Sequence, residues 1–183
     1  MIIYNPEEVE LIDFDDVIRE WNPHLNKIWN RENPNNQKSL PTAWDLKKHY
    51  GPEIVEFYQV THAEEIYIKA PLIKGALEFL HELSKIKFIY LVSTQPNQQV
   101  EEYTRDYILK NTVPFNELIF TKDKSSVKGN HLLDDGTHNL ERVLEIKSSI
   151  PVCFNQSWNQ DWKGLRVYNY NEFLDIVKNH HSI

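Results

Sequence analysis

Two pairs of aspartates lie at the ends of predicted strands, where their carboxylates could share one site. Asp13 and Asp15 end the first predicted strand, and Asp134 and Asp135 follow a second short apolar run. Because parallel strands end at the same edge of a sheet, the four carboxylates would converge and repel one another unless a cation lay among them. Mg²⁺, a hard ion that prefers oxygen ligands, fits such a site. Either pair alone is equally typical of an acidic turn, so the prediction depends on both.

A phosphate site is predicted directly after the most apolar segment of the chain, Phe88–Ser93, which has the composition of a strand buried on both faces. Thr94 supplies a hydroxyl and Gln95 a backbone N–H at the expected start of the next helix. Helix N-termini bind anions through their free N–H groups. These two residues are therefore predicted to bind phosphate oxygens.

Three lysines, Lys122, Lys124 and Lys128, follow the predicted strand at residues 118–121. An ammonium group that faced the aspartates would reduce their mutual repulsion and would also bind phosphate. Lysines in such a segment are ordinarily solvated, and we expect this for at least two of the three. The sequence thus predicts a single lysine in the site.

Short apolar runs that alternate with helical periodicity predict an α/β fold. The predicted strands are residues 9–14, 88–93, 118–121, 131–133, 152–155 and 166–168. Helices are predicted from apolar stripes within residues 72–83, 100–108, 140–144 and 173–177, with Pro71 suited to the start of the first and Asn171 to the cap of the last. The alternation predicts a parallel sheet with right-handed crossovers, flanked by helices.

Residues 21–71 interrupt this alternation and are rich in Trp, Tyr and His. We interpret them as a small helical insertion over the carboxyl ends of the strands, where open α/β sheets bind ligands. Within the insertion, residues 33–42 are polar and contain two prolines, which predicts an exposed loop.

Composition excludes several classes of protein. The 183 residues are 40% hydrophobic and 26% charged, which is typical of a globular chain of one domain. A net charge of −7 argues against a nucleic-acid coat or a membrane-surface binder, since both use basic surfaces. No apolar run approaches the roughly 20 residues of a membrane span, and the first residues do not resemble a secretory signal. The single cysteine, Cys153, is predicted to be a buried apolar residue, and a cytoplasmic location is the simplest expectation.

In combination these elements resemble the haloacid dehalogenase-like phosphotransferases, in which an aspartate pair, a Ser or Thr after a strand, a lysine and an acidic pair follow in this order. The run from Phe120 to Lys124, ten residues before the second aspartate pair begins, is similar to the Thr-Arg-Asp-Lys run of the 5′(3′)-deoxyribonucleotidase family. Thr94-Gln-Pro, the Pro71–Ala76 entry and the Asn- and Trp-containing tail at residues 152–162 also resemble that family. The resemblance is weak only across residues 22–70.

The resemblance implies a Rossmann-like core formed by residues 1–20 and 71–183, with a small helical cap at residues 21–70. It implies a phosphatase that hydrolyses (deoxy)nucleoside monophosphates, with a small nucleotide as its partner and no membrane or stable nucleic-acid partner. A homodimer is compatible with it, although no interface can be identified in the sequence.

The resemblance also assigns roles to the site residues. Asp13 would be the nucleophile that forms an aspartyl-phosphate, and Asp15 would be the general acid and base. Mg²⁺ would be bound by the Asp13 side chain, the Asp15 backbone oxygen and one or both of Asp134 and Asp135, of which Asp135 is favoured. Phosphate oxygens would be bound by Thr94, Gln95 and Lys124. The nucleobase would be contacted by Trp21 and, as weaker candidates that could equally be core aromatics, Trp44 and Tyr67.

Four further polar residues are expected to be outside the chemistry. Arg19 and His24 are predicted to lie at the surface, although both could reach the mouth of the site. His131 and His138 flank the second aspartate pair without a further ligand at metal-binding spacing, so they are predicted to be structural or exposed.

Two alternative functions remain open at the level of the sequence. The first is a phosphatase of the same fold that acts on polynucleotide 3′-phosphate ends or on another small phosphate ester; the absence of a basic run argues against a polynucleotide. The second is a non-catalytic binding domain that keeps the fold but has lost the reaction, which the complete set of motif residues argues against.

Overall fold

The computed structural model describes residues 5–179; residues 1–4, part of the segment searched for a secretory signal, and residues 180–183 lie outside the described residues. The strands are β1 (Val9–Ile12), β2 (Phe88–Ser93), β3 (Glu117–Phe120), β4 (His131–Asp134), β5 (Ile150–Phe154) and β6 (Arg166–Val167). They form one parallel sheet in the order β3-β2-β1-β4-β5-β6. The predicted α/β fold with a parallel sheet is therefore confirmed, with strand bounds that differ by about two residues.

The helices are α1 (Trp21–Glu32), α2 (Leu46–Tyr50), α3 (Ile54–Glu56), α4 (Ala63–Lys69), α5 (Ala76–Ser84), α6 (Gln98–Lys110), α7 (Thr137–Ile146) and α8 (Tyr170–Asn179), and a π-helical turn, Phe57–Thr61, joins α3 to α4. Successive strand residues face opposite sides of the sheet, which gives it two apolar faces. One face packs against α5, α6 and α8, and the other packs against α7. Within residues 5–179, none of the helices combines the length and the hydropathy that a membrane-spanning segment requires.

Helices α1 to α4 occupy the predicted insertion and pack around an apolar cluster of their own. The buried Trp29 ring contacts the rings of Tyr50 and Phe57, with centroids 5.1 and 5.0 Å away. Val100 of α6 belongs to the same cluster and connects it to the rest of the molecule. These contacts support the division into a core and a cap at residues 21–70, which we retain as a proposal.

The polar segment at residues 33–42 contains no helix or strand and is mostly exposed, as predicted. It is nevertheless anchored by several hydrogen bonds to α1, to α2 and to the segment after β5. The Asn26 side chain donates to the Ser39 carbonyl at 2.8 Å, and the Ser157 hydroxyl donates to the Pro41 carbonyl at 2.9 Å. The loop therefore connects α1 with the segment after β5.

Two helix starts differ from the prediction. Helix α5 does not begin at Pro71 but after Gly75, whose φ of +87° lies in the left-handed region that favours glycine. Helix α8 is not capped by Asn171, which lies inside it. Instead the Asn169 side chain accepts the backbone N–H of Glu172 at 3.1 Å. The first error arises because Pro71 and Leu72 pair with the backbone at Arg19 and Glu20 before the helix begins. The second arises because neighbouring asparagines have equal capping propensity and only the path of the chain selects one.

Candidate active site

The carboxyl ends of β1 and β4 bring the two aspartate pairs together, because these strands are neighbours in the sheet. The Asp13 backbone N–H donates to the Leu133 carbonyl at 2.9 Å, so both chains leave the sheet at the same level. Asp13, Asp134 and Asp135 each offer an oxygen atom, and the three oxygens lie within 4.8 Å of one another. All three side chains are buried. Three of the four predicted carboxylates therefore converge, whereas the Asp15 side chain contacts Arg19 and Gln95 instead.

Lys124 lies between the two aspartate pairs. Its Nζ is 2.7 Å from Asp13 Oδ1 and 2.7 Å from Asp134 Oδ2, and the side chain is buried. A short 3₁₀ turn at Lys124–Ser126 presents it to the site. Burial alone would lower the pKa of Lys124, but the two carboxylates outweigh burial and raise it, so the amine stays protonated. Lys122 and Lys128 are exposed, as expected for two of the three lysines.

The buried carboxylates are electrostatically costly without a cation. Burial raises the pKa of Asp13 from 3.8 to about 7, even though Lys124 opposes the shift. Burial, together with the charge of Asp16, also raises the pKa of Asp135. A divalent ion would reverse both shifts, since it stabilises the ionised carboxylates.

Asp134 and Asp135 differ in the contacts that their oxygens make. Asp134 Oδ1 accepts the Gly136 N–H at 2.7 Å, and Oδ2 accepts Lys124 Nζ. Asp135 Oδ2 accepts the Trp158 indole N–H at 2.7 Å, whereas its buried Oδ1 has no hydrogen-bond partner within residues 5–179. An unpaired, buried carboxylate oxygen beside Asp13 fits an oxygen-coordinated cation such as Mg²⁺.

The predicted phosphate-binding residues lie between β2 and α6, beside Lys124. Thr94 is exposed, and its hydroxyl donates to the Thr121 carbonyl at 2.7 Å. The backbone N–H of Gln95 donates to no group of the described residues 5–179. The side chain of Gln95 has a different contact from the one expected of a phosphate ligand, because its amide donates to Asp15 Oδ2 at 2.9 Å.

Arg19 is fully buried, so its predicted surface position is wrong. Its Nε and Nη2 lie 2.8 and 2.7 Å from Asp15 Oδ1. The guanidinium lies over the ring of Phe14, 4.9 Å from the ring centroid. Arg19 can be buried because tertiary contacts replace its water: the ion pair with Asp15 and the aromatic rings compensate for the loss of hydration around the cation.

Asp16 connects this loop to the insertion. Its φ is +60°, a backbone conformation that Asp tolerates better than most residues. The side chain accepts both the backbone N–H of Asn22 at 2.9 Å and its side-chain amide at 2.7 Å. Asp16 thereby connects the first turn of α1 to the loop after β1, a role that the sequence analysis did not assign.

A cavity of about 910 Å³ opens over the aspartates and is lined by both the core and the insertion. All three predicted base-contacting residues, Trp21, Trp44 and Tyr67, lie on its wall. Trp21 and Tyr67 are buried and also belong to the apolar cluster of the insertion, with ring centroids 5.9 Å apart. Trp44 is 46% exposed. Trp21 and Tyr67 therefore belong both to the apolar core of the insertion and to the wall of the cavity, so these two interpretations do not exclude each other.

The remaining predicted residues lie outside the cluster of aspartates. His131 is buried, and its Nδ1 is 2.9 Å from Glu10 Oε2. His138 is exposed at the cavity mouth, and its ring centroid is 5.2 Å from that of Trp44. His24 is half-buried, and Cys153 is buried, as predicted for the cysteine.

Sequence reasoning assigned no role to three residues that support the site from the segment after β5. They are Gln156, Trp158 and Asn159. Besides the contact of Trp158 with Asp135, Gln156 donates to the Asp16 carbonyl at 2.7 Å, and Asn159 donates to the Asp135 carbonyl at 2.9 Å. The Asn- and Trp-containing tail that supported the family resemblance was the signal that could have found them.

Comparison with known proteins agrees with this geometry. Residues 7–181 match the family described as 5′ nucleotidase, deoxy (pyrimidine), cytosolic type C protein. A 5′(3′)-deoxyribonucleotidase of Bacillus subtilis is 23% identical over 175 residues, which cover 91% of this chain and 96% of the relative.

Solved structures resemble the fold at lower identity. A haloacid dehalogenase-like hydrolase from Streptococcus pneumoniae superposes with a TM-score of 0.67 at 12% identity, covering 93% of this chain and 98% of that one. The haloacid dehalogenase-type hydrolase YfnB from Bacillus subtilis, which was solved with magnesium bound, superposes with a TM-score of 0.63 at 12% identity. The match covers 94% of this chain and 99% of that one. A family match over almost the whole chain, on this fold and with this site, identifies the chain as a phosphoric monoester hydrolase that belongs to the 5′ nucleotidase, deoxy (pyrimidine), cytosolic type C protein family.

Proposed function

We propose that this enzyme is a Mg²⁺-dependent phosphatase that hydrolyses (deoxy)nucleoside monophosphates to nucleoside and phosphate through an aspartyl-phosphate. The observation that carries the proposal is the buried group of Asp13, Asp135 and Lys124 on the wall of a cavity with aromatic sides. A nucleophilic carboxylate, a fixed cation and a surface for a base are the components that hydrolysis of a nucleotide requires. The naming of the Bacillus subtilis relative as a 5′(3′)-deoxyribonucleotidase supports this substrate class.

The proposed reaction has two steps in which Asp13 and Asp15 alternate. Asp13 attacks phosphorus, the bond from phosphorus to the nucleoside oxygen breaks, and Asp15 gives that oxygen a proton. Water then attacks phosphorus while Asp15 takes the proton of the water, and the bond from phosphorus to Asp13 breaks. Phosphate leaves, and the Asp13 carboxylate and the protonated Asp15 are restored.

The donor set supports Mg²⁺ as the cofactor. The ion would be held by the Asp13 side chain, the Asp15 backbone oxygen and Asp135, whose Oδ1 is otherwise unpaired. Asp134 belongs to the same cluster, but Lys124 and Gly136 already occupy its oxygens. When bound, the ion neutralises charge on the phosphate oxygens. The magnesium in the YfnB structure supports this choice of ion.

The remaining residues bind the substrate. Thr94, the Gln95 backbone N–H and Lys124 bind phosphate oxygens in this proposal, and the three donors line the same cavity. Trp21 faces the nucleobase, with Trp44 and Tyr67 as further parts of the aromatic wall. Flat, rigid rings supply a large contact area for a base at low entropic cost.

The test is a phosphate-release panel with and without Mg²⁺. It includes ribo- and deoxynucleoside monophosphates, each as the 5′ and the 3′ ester, with p-nitrophenyl phosphate and a 3′-phosphorylated oligonucleotide as comparisons. Asp13→Asn should abolish release, since an amide cannot form the acyl phosphate, while the surface variant Asp106→Asn should leave it unchanged.

Each alternative predicts a different pattern in this panel. A preference for the oligonucleotide would contradict the proposed substrate class. Tight nucleotide binding without any phosphate release would indicate a non-catalytic domain, and full activity of Asp13→Asn would exclude the proposed nucleophile.

A further inference from the structure

Arg19 is enclosed by residues from three different segments, which are the loop after β1, α4 and α6. Its guanidinium lies 5.2 Å from the ring centroid of Tyr67 and 5.0 Å from that of Tyr107. Nη1 donates to the Tyr67 carbonyl at 2.6 Å, and Nη2 donates to the Thr104 hydroxyl at 3.3 Å. A side chain fixed at this many points loses little further entropy when it binds a carboxylate. Arg19 is therefore a rigid donor and not a flexible counter-ion.

The two oxygens of Asp15 are held by groups of different chemistry. Oδ1 accepts hydrogen bonds from Nε and Nη2 of Arg19, and Oδ2 accepts, within residues 5–179, a hydrogen bond from the side-chain amide of Gln95 alone. The same Gln95 amide also donates to the Ser93 hydroxyl at 2.8 Å. The orientation of the Asp15 carboxyl group is thus fixed by hydrogen bonds to both of its oxygens, although Asp15 itself is only partly buried.

These contacts distinguish the two oxygens with respect to the proton. A guanidinium has donors but no acceptor, so Oδ1 cannot carry a proton while Arg19 occupies it. An amide has both, so Gln95 can donate to an ionised Oδ2 or, after rotation by 180°, accept from a protonated Oδ2. The Ser93 hydroxyl can reverse its role in the same way.

We propose that Arg19 is a positioning residue for the reaction: it fixes the Asp15 carboxyl so that Oδ2 alone gives and receives the proton. This rests on the proposed function, in which Asp15 protonates the leaving oxygen. Since Arg19 also contacts the Tyr67 carbonyl, the orientation of Asp15 depends on the segment through which the chain leaves the insertion.

The experiment compares two substrates that need the proton to different extents. A nucleoside alkoxide is a poor leaving group and needs protonation, whereas p-nitrophenolate leaves without it. In Arg19→Met, kcat/KM for thymidine 5′-monophosphate should fall about 100-fold, the effect of misplacing a reacting group. The value for p-nitrophenyl phosphate should fall by less than about fivefold, because its bond breaks without the acid. Arg105→Met, which removes an exposed arginine that contacts only the Phe120 ring among the interactions described, is the matched control.

Arg19→Met leaves the Asp15 carboxylate without its ion-pair partner and can therefore fail to fold. A second pair of variants covers this case. Asp15→Asn and the double variant Arg19→Met/Asp15→Asn both lack that charge. If Arg19 acts through Asp15, the two should have equal kcat/KM for the nucleotide. A further loss in the double variant would overturn the proposal, as would equal losses on both substrates or a rise in KM alone.

The proposed function fails in a distinguishable way. If the wild-type enzyme releases no phosphate from either substrate, or if Asp15→Asn is fully active on the nucleotide, the assumed role of Asp15 is wrong. If the wild type is active and Asp15→Asn is impaired while Arg19→Met is unimpaired, only the role of Arg19 is wrong.

Discussion

At the scale of single residues, Asp134 and Asp135 show how adjacent identical side chains acquire different chemistry. Asp134 is saturated by Lys124 and by backbone and side-chain N–H groups, whereas Asp135 keeps one buried oxygen unpaired. An oxygen without a hydrogen-bond donor is available to a cation. The difference comes from the position of Lys124 on one side and of Trp158 on the other.

This difference predicts unequal effects of the two amide variants. Asp135→Asn should raise the Mg²⁺ concentration for half-maximal activity by more than about tenfold, because it removes the proposed direct ligand. Asp134→Asn should mainly weaken the ion pair with Lys124 and lower the free energy of unfolding. Titration of activity with Mg²⁺, together with denaturant unfolding, separates the two. Equal Mg²⁺ requirements in both variants would contradict the assignment.

A second residue-scale prediction concerns Cys153. Burial raises the pKa of its thiol to about 12, and the side chain is buried in β5. Only the thiolate reacts with alkylating reagents, so iodoacetamide near neutral pH should leave the native protein unmodified. Mass spectrometry should find complete alkylation after unfolding in guanidinium chloride. Modification of protein that retains its native circular dichroism would show that the thiol is accessible.

At the scale of elements, the start of α6 positions the segment that we propose to bind phosphate. The Asn97 side chain accepts the backbone N–H of Val100 at 3.0 Å and so caps the helix directly after Gln95 and Pro96. The same side chain donates to the Gln59 carbonyl at 3.3 Å, which connects the helix start to the insertion. The element that carries Thr94 is thus fixed at its end by a single asparagine.

Loss of this cap should be measurable. Asn97→Ala is expected to lower the free energy of unfolding by about 1 kcal/mol, the usual value of an N-cap hydrogen bond. Asn97→Asp should retain most of this stability, because a carboxylate also accepts from the helix N-terminus. Denaturant unfolding of the three proteins tests this order. Equal destabilisation by Ala and Asp would point to the Gln59 contact instead.

At the scale of the whole molecule, the net charge of −7 has a local component in the buried aspartates. With its pKa raised from 3.8 to about 7, Asp13 favours the folded state most when it is protonated, below about pH 4. That contribution is lost as the pH rises through 7. Under the proposed function, bound Mg²⁺ would stabilise the ionised form of Asp13 and would therefore offset the loss.

The increase in Tm on adding Mg²⁺ should accordingly be larger at about pH 7.5 than at about pH 5.5, where the ion must displace a proton from Asp13. Thermal unfolding with Mg²⁺ and with a chelator at both pH values measures this. In Asp13→Asn, the part of the pH dependence that comes from Asp13 is removed, so the difference between the two pH values should become smaller, and the rest comes from Asp135, whose pKa is also raised by burial. An increase that is equal at both pH values in the wild type would contradict the raised pKa of Asp13.

The order and the location of the motifs were predictable from the sequence alone. An apolar run followed by Asp13 and Asp15, and another followed by Asp134 and Asp135, are local patterns, and the parallel arrangement of the strands follows from their alternation with helices. The buried lysine was also predictable, because its spacing resembled a known motif. Such patterns depend on periodicity over a few residues, which can be read directly from the sequence.

Only the tertiary structure decided which of these side chains meet and which do not. The sequence predicts Arg19 at the surface, but Tyr67, 48 positions away, encloses it, and Gln156, 140 positions away, donates to the Asp16 carbonyl. The choice between Asp134 and Asp135 depends in the same way on Trp158, 23 positions from Asp135. Contacts over such separations leave no periodic signal in the chain, because they depend on how whole elements pack. The sequence by itself therefore determined the fold and the candidate reacting groups, while packing determined how each group is oriented and charged.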